Sequence, residues 1–496
     1  MERNSGILLH PTSLPDTPIC GTFGKPSRIW LNDLSEHGIG VWQFLPLAPP
    51  DSLGSPYSSP SSFAFNPWFL DENDLVRDGF LENNLEKFSS ENNNIDERVD
   101  FQLANSKVQN LSFSLLEYWE KQNKTIKEEF DSWSEKQFWL EDHSMFMELK
   151  VQNNDLPWWE WPEKFATHDK KELANWKKDN KKELLGHNLI QWHLDRQWKS
   201  IREQARNLGI SLFGDVPFYV SKDSADVWSN RSLFSIFTNS DTHLQSGVPP
   251  DYFSETGQLW GNPVYRWSRH KSNKFKWWRK RISRHLEQVD FLRLDHFRAL
   301  EAFWAIPGKD QTAENGFWLP SPGKEILGLI KKDCGGSLPL VAEDLGLITS
   351  KVEKLRDDFK LAGMKILQFA FDGNLDNPYL PENIKDDNWI VYTGTHDNST
   401  SLGWWREMNQ DRKEQFKDRI FDYENFSSWE LIRMGMETEA KLFVAPMQDL
   451  LNLDDSSRLN KPGTIENNWS WRLTISNLNI KKVLKRYGDL SKKYQR

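Results

Sequence analysis

The sequence predicts an α/β fold, a (β/α)8 barrel carrying a largely helical insertion between its second and third strands. Three observations carry the prediction. Eight short apolar runs recur along the 496 residues, and continuous apolar runs fit strands buried on both faces, as in parallel sheets. Helical patterns lie between them, and strand–helix alternation marks a parallel sheet wrapped by helices. Several runs end in a carboxylate or a histidine, and the C-terminal strand ends are where such a barrel builds its site.

Taken in order, the first run is Gly6–His10 (GILLH), followed by a helical pattern over Ser27–Glu36. The second is Val41–Leu47 (VWQFLPL), and residues 1–70 thus open the barrel. The gap to the third run is too long for one helix. Residues 71–186 read as a helical insertion rich in charge and Trp, with Glu91–Glu97 (ENNNIDE) as an exposed loop. The barrel resumes over 187–496. Its entering helix, Asn188–Leu208, carries Ile190, Leu194, Trp198, Ile201, Ala205 and Leu208 on one face, and Gly209 supplies a C-cap. Ser211–Pro217 (SLFGDVP), a helix over Phe275–Leu286, and Asp290–His296 (DFLRLDH) follow. Next come Leu338–Asp344 (LPLVAED), a helix over Ser350–Leu361, and Met364–Ala370 (MKILQFA). Trp389–Asp397 (WIVYTGTHD), helices over Leu402–Ile420 and Trp429–Lys441, and Leu442–Asp449 (LFVAPMQD) complete the set. No solenoid repeat or low-complexity linker is present, so the insertion is expected to pack on the barrel.

Composition narrows the function. Aromatic residues at 13%, with 25 Trp, are the opposite of a disordered composition. The net charge of −9 offers no basic field for phosphate backbones, which excludes a dedicated nucleic-acid binder. No apolar stretch approaches the roughly 18 residues of a membrane span, and MERNSGILLH lacks the apolar core of a secretory signal. Cys20 and Cys334 are too few for a disulfide framework. A cytoplasmic protein with free thiols, and without membrane or nucleic-acid partners, is expected. The Trp clusters divide: PWWEWP (157–162) reads as packing within the helical region, GQLWGNP (257–263) as a loop that meets a ligand.

Three carboxylates stand out by position. Asp295 ends an apolar run in RLDHFR, and Arg293, two residues back on the same strand face, is placed to hold it ionised. Glu343 ends LPLVAE about one strand–helix unit later, and Asp397 ends WIVYTGTHD beside His396. Acidic groups on separate strand ends around one rim suit glycosyl transfer, which needs a nucleophile, an acid/base and a group that binds the hydroxyls of a strained sugar. The competing reading is a set of unrelated capping and salt-bridge residues. Other chemistries find no support: G-x-x-x-x-G-K-[ST], H-E-x-x-H, G-x-S-x-G and a zinc-type Cys pair are absent, and the eleven His are scattered. No metal or organic cofactor is expected.

At these residues the sequence resembles the 4-α-glucanotransferases of glycoside hydrolase family 77, the amylomaltases or disproportionating enzymes. The likeness runs from GILLHPTSLP to PGTIENNWSWR, almost the whole chain. It passes through SPYSSPSSFAFNP, FGDVPFYVSKDSADVW, GVPPDYFSETGQLWGNPVY, FLRLDHFRAL, VAEDLG and GTHDNSTSLGWW. It implies a barrel related to the α-amylases but without their C-terminal β domain, here in a compact form lacking N-terminal carbohydrate-binding modules. By motif, Asp295 would be the nucleophile, Glu343 the general acid/base and Asp397 the transition-state stabiliser. Arg293 and His396 would contact the sugar in the central subsite, Tyr57 would stack on or bond it, and Asp215 would hold its hydroxyls. His296 joins these substrate-binding residues, as do Trp260, Asn262 and Pro263 on a lid loop, 247–265, overhanging the cleft. Pro60 and Phe65 depart from the family's pattern, so the donor-side loop is expected to differ in shape.

The activity implied is transfer of α-1,4-glucan segments from a maltooligosaccharide, starch or glycogen chain to the 4-hydroxyl of another glucan or of glucose, by a retaining double displacement in a monomer. An α-amylase-type hydrolase and a non-catalytic glucan-binding barrel are the rival readings. Products from maltotriose separate them, since only transfer gives longer chains.

Overall fold

The computed structural model describes residues 3–15, 17–82, 98–237, 239–250, 254–414, 417–474 and 480–496. Eight parallel strands form the barrel: Asn4–Leu8, Val41–Gln43, Ser211–Val216, Phe291–Leu294, Leu340–Ala342, Gly363–Ile366, Trp389–Tyr392 and Leu442–Pro446. The ladder follows chain order, and the eighth strand pairs with the first. Between the fifth and sixth the join is a single bridge, Val341 to Ala362, where the Ala342 N–H donates to the Ala362 carbonyl at 2.8 Å. These are the eight apolar runs, and Ile7, Trp42, Leu212, Leu292, Val391 and Val444 are all buried, as strands covered on both faces require.

Between the second and third strands lie helices Glu72–Arg77, Phe101–Trp119, Lys124–Ser134, Leu140–Gln152, Glu163–Ala166 and Lys170–Asp179. Asp100, Asn123 and Asp169 start three of them by accepting first-turn N–H groups. The helix entering the third strand spans Lys181–Asn207, seven residues longer at its start than the sequence predicts, because Leu184, Gly186 and Leu189 extend the buried stripe. The boundary drawn at 186 therefore falls inside this helix. Gly209 follows it with φ +71°, the left-handed position that ends helices. The predicted loop Glu91–Glu97 lies outside the described residues.

Other helix limits differ for local reasons. The pattern over Leu402–Ile420 is not one helix. Ser401–Glu407 stops at extended Met408, and Gln410–Glu414 starts anew behind Asn409, whose side chain accepts from the Arg412 N–H. Trp429–Glu437 ends before Lys441 because Thr438 is extended. Phe275 is left-handed, with φ +54°, immediately before helix Lys276–Gln288, and Ser350–Asp358 ends short of Leu361. The terminal helix, Ile480–Lys493, closes the bottom of the first strand. Its Tyr487 hydroxyl donates to the Gly6 carbonyl at 2.8 Å, and Gly488 lies so close to the His37 carbonyl that any Cβ would sit at 1.9 Å. Among the described residues no helix is long and apolar enough to cross a membrane.

A second sheet escaped the sequence reading. Its antiparallel strands are Leu244–Val248, Gln258–Pro263, Ala302–Pro307 and Phe317–Pro320, which follow the third and fourth barrel strands. Residues 247–265, read as a loop, are in their described part largely a β-hairpin; 251–253 lie outside the described residues. Gly247 makes the hairpin possible, since a Cβ there would meet the Gln258 carbonyl oxygen at 2.2 Å. Pro60 and Phe65, expected from the sequence to reshape the donor-side loop, both make structural contacts. Phe65 is fully buried edge-on to Phe23, and the Pro60 carbonyl accepts from the Ala225 N–H. Trp158 and Trp161 are buried too, Trp161 against Phe146 and Trp228.

Candidate active site

The parallel register sets Asp215 of the third strand directly against Arg293 of the fourth, so both side chains project to one side of the barrel. Arg293 Nη1 meets Asp215 Oδ2 at 2.5 Å, and Nη2 meets Asp295 Oδ1 at 2.7 Å. The Tyr57 hydroxyl donates to the same Asp215 oxygen at 2.7 Å. The Tyr57 ring stacks on His396, with centroids 5.2 Å apart and planes within 7°, and His396 Nε2 lies 3.3 Å from Asp397 Oδ1. One polar chain thus joins Tyr57, Asp215, Arg293 and Asp295, and the ring stack connects it to His396 and Asp397.

Glu343 enters differently. After Asp295 the chain turns through His296 in the left-handed region, φ +52°, uncommon for a side chain with a Cβ. The turn aims the His296 N–H at Glu343 Oε2, 2.7 Å away, while the Leu345 N–H reaches Oε1 at 3.2 Å. The neighbouring Asp344 serves structure: it pairs with Arg356 and accepts from the Met364 N–H. Trp260, on the hairpin, is edge-on to the His296 ring at 4.8 Å and near Tyr219 at 6.1 Å, with 38% of its surface exposed. Asn262 is half-buried farther along that strand, and Pro263 is buried at the hairpin base opposite Gln245.

Three neighbours are residues that the sequence reading did not name individually. Asn460 Nδ2 donates to Asp397 Oδ1 at 2.7 Å, and Arg458 donates to the Asp397 carbonyl at 2.8 Å. Trp469, itself left-handed at φ +63°, tilts against both Tyr57 and His396. Trp469 and Tyr219 stand in quoted motifs, PGTIENNWSWR and FGDVPFYV, which was the available signal. Asn460 and Arg458 carried none.

The electrostatics follow from burial. Asp215, Asp295 and Glu343 crowd around Arg293, while burial keeps His296 (at about 3) and His396 below the usual imidazole range and so neutral near pH 7. Burial raises both Asp295 and Glu343 above the usual carboxylate range, with Arg293 opposing it in each case. Such a cluster retains a proton at neutral pH. Of these two, Asp295 is in direct ion contact with the guanidinium, and Glu343 accepts from two backbone N–H groups. Asp215 Oδ1, His296 Nε2 and the Tyr219 hydroxyl are buried without partners, and unpaired buried polar atoms mark a place for ligand hydroxyls. Among the described residues no group of three His, Cys, Asp or Glu is arranged to hold a metal ion.

Comparison with known proteins agrees with this geometry. The profile of glycoside hydrolase family 77, 4-alpha-glucanotransferase, matches residues 9–477. The chain is 41% identical to a 4-alpha-glucanotransferase of Synechocystis over 482 residues, covering 96% of this chain and 95% of that one. It is 40% identical to that of Thermus thermophilus, covering 95% of each. The structure of amylomaltase from Streptococcus agalactiae in complex with acarbose superposes with a TM-score of 0.94 at 32% identity, covering all of both chains. The chain belongs to the 4-alpha-glucanotransferase family, glycoside hydrolase family 77.

Proposed function

We propose that this 4-α-glucanotransferase works by double displacement, with Asp295 as nucleophile, Glu343 as acid/base and Asp397 as transition-state stabiliser. Arg293 carries the reading. Its fork grips Asp295 and Asp215, which favours the ionised form of Asp295 and leaves the cluster's proton to Glu343. Glu343 gives that proton to the glycosidic oxygen as the bond from that oxygen to C1 breaks and an Asp295 oxygen bonds to C1. The shortened glucan departs with a free 4-hydroxyl. The 4-hydroxyl of an acceptor glucan or of glucose then attacks C1, returns its proton to Glu343 and frees Asp295, with the α configuration retained.

Tyr57, Asp215, Arg293, His296 and His396 are assigned to the sugar in the central subsite. Trp260, with Asn262 and Pro263 on the same hairpin, is assigned to the acceptor side as a shield against water. Residues 71–186 are read as an insertion packed on the barrel. A cytoplasmic monomer acting on maltooligosaccharides, starch or glycogen fits the family and the composition; sedimentation and cell fractionation test those two points.

Mass spectrometry tests the roles. In Glu343→Gln, an α-glucosyl fluoride donor, whose leaving group needs no proton, should load a glucosyl adduct on the peptide carrying Asp295. An adduct on another carboxylate would assign the nucleophile elsewhere, and a donor consumed with no adduct on any residue would overturn the accumulation of a covalent intermediate.

A further inference from the structure

A second cavity, of about 250 Å³, opens between the helical segment and the barrel, and none of the residues assigned to the reaction lines it. Its walls are aromatic. Phe63, Phe138, Trp139 and Trp277 line it, with Phe63 edge-on to Phe138 at 5.0 Å and to Trp277 at 6.0 Å. Trp139 and Trp277 are at least nine-tenths buried, yet neither indole N–H has a hydrogen-bond partner. Ser229 and Asn230 add small polar groups at one side. Charge is balanced by count: Asp142 and Asp226 line it together with Lys276 and Lys280, and the Lys280 ammonium lies 3.7 Å from the Phe138 ring centroid. Equal charges disfavour a phosphate or a cation, whereas aromatic walls with scattered donors and acceptors suit a neutral polyhydroxylated ring, apolar on its faces and polar at its edge.

We propose that this cavity is a second carbohydrate site, which holds a glucosyl unit of a glucan whose reacting bond lies at the barrel mouth. The identity of the ligand rests on the glucan-transfer reading; the site itself rests on the cavity. Its use would be avidity, since a chain held at two points dissociates more slowly than one held at the mouth alone. Substrates too short to reach both sites gain nothing from it.

The choice of test variants follows from the wall. Asp226 accepts from the Ser62 N–H at 2.7 Å, and Ser62 Oγ accepts from Arg281, which also donates to the Pro217 carbonyl two residues beyond Asp215. Changes at Asp226 or Ser62 would disturb the catalytic strand end. Ser229→Trp, which fills the cavity, and Phe138→Ala, which removes a half-exposed wall, leave that support intact.

In an Asp295→Asn background without turnover, calorimetric titration with maltotetraose should show two binding events. Ser229→Trp should abolish one, and Phe138→Ala should weaken it about tenfold, as expected for one lost aromatic contact. In otherwise unchanged enzyme, both variants should leave kcat and KM on maltotriose alone and raise KM for amylose several-fold. A single event that both variants leave intact, with melting temperatures showing both to be folded, overturns the second site while glucan transfer stands. Saturable binding of inorganic phosphate there, with no sugar binding, overturns it in favour of an anion site.

Discussion

Arg293→Lys tests whether one guanidinium fixes the nucleophile's charge. Arg293 reaches Asp215 at 2.5 Å and Asp295 at 2.7 Å from one rigid fork, and only 5% of its surface is exposed. A unit charge about 4 Å from a carboxylate contributes about 4 kcal/mol at an effective dielectric near 20. That equals roughly three pH units of proton affinity, at about 1.4 kcal/mol each. Removing the charge, as in Arg293→Leu, should therefore lower kcat/KM on maltotriose at neutral pH by about 10³. Lysine keeps a charge but, as a single point donor, cannot serve both carboxylates in their present positions. If about half of the effect is lost, activity falls by roughly 10- to 100-fold. The sign is fixed: without its cation Asp295 binds its proton more tightly, so the ionised nucleophile appears only at higher pH. The acid limb of the activity profile should move up by about one to two pH units, and activity should partly return as pH rises. Initial rates of glucose release across the acid and neutral range measure this, with melting temperatures confirming a folded protein. An acid limb in its original place, with activity scaled down equally at every pH, would refute the reasoning.

Three further outcomes are expected. Glu343→Gln should lose about 10² to 10⁴ in transfer, yet melt higher than the parent at neutral pH. Burial raises the native Glu343 carboxyl above its unfolded value, so its ionisation costs stability as pH rises, and the gain should vanish toward acid pH; a lower melting point at neutral pH would contradict this. Trp260→Ala should weaken acceptor binding several-fold, for a contact of about 1 kcal/mol, and raise the ratio of free glucose to lengthened glucan from maltotriose; an unchanged ratio at equal turnover removes its role as shield. Asn460→Ala removes the 2.7 Å donor to Asp397 and, since Asp397 is 44% exposed on its side chain, should lower kcat by about tenfold, the low end for a hydrogen bond to a charged group. Unchanged kcat would mean that the Asn460 contact does not position Asp397.

How much was legible depended on how the information is carried. All eight barrel strands were readable because burial on both faces makes a strand continuously apolar, and WIVY or LFVAP has no helical alternative. The carboxylates were readable because a strand has period two: Arg293 and Asp295 share a face whatever the rest of the chain does. The second sheet was not. Leu244–Val248 and Gln258–Pro263 are short, polar and interrupted by Gly247, Gly261 and Pro263, so composition says loop while long-range pairing says hairpin. Asn460, Arg458 and Trp469 lie more than sixty residues beyond Asp397, and nothing in their spacing points back to it. The same holds for the helix end at Met408, where an extended residue and the Asn409 cap override a favourable apolar pattern.

In the proposed mechanism the choice between transfer and hydrolysis does not lie in the three carboxylates, because Glu343 would activate a sugar hydroxyl and a water equally well. It depends on how long an acceptor is held over the intermediate and how well water is kept out. On the proposed reading that task falls to Trp260 on the second sheet, beside Tyr219. Trp260 is nevertheless tied to the nucleophile through the chain. Its hairpin is hydrogen-bonded through Leu244–Val248 to Ala302–Pro307. That strand begins six residues after the left-handed turn at His296, which directs an N–H at Glu343. The hairpin that carries Trp260 and the N–H that holds Glu343 are thus both attached to one stretch of backbone, 295–307. A change that loosens the ladder, such as a side chain at Gly247, should therefore shift the products toward hydrolysis while the carboxylates themselves stay in place.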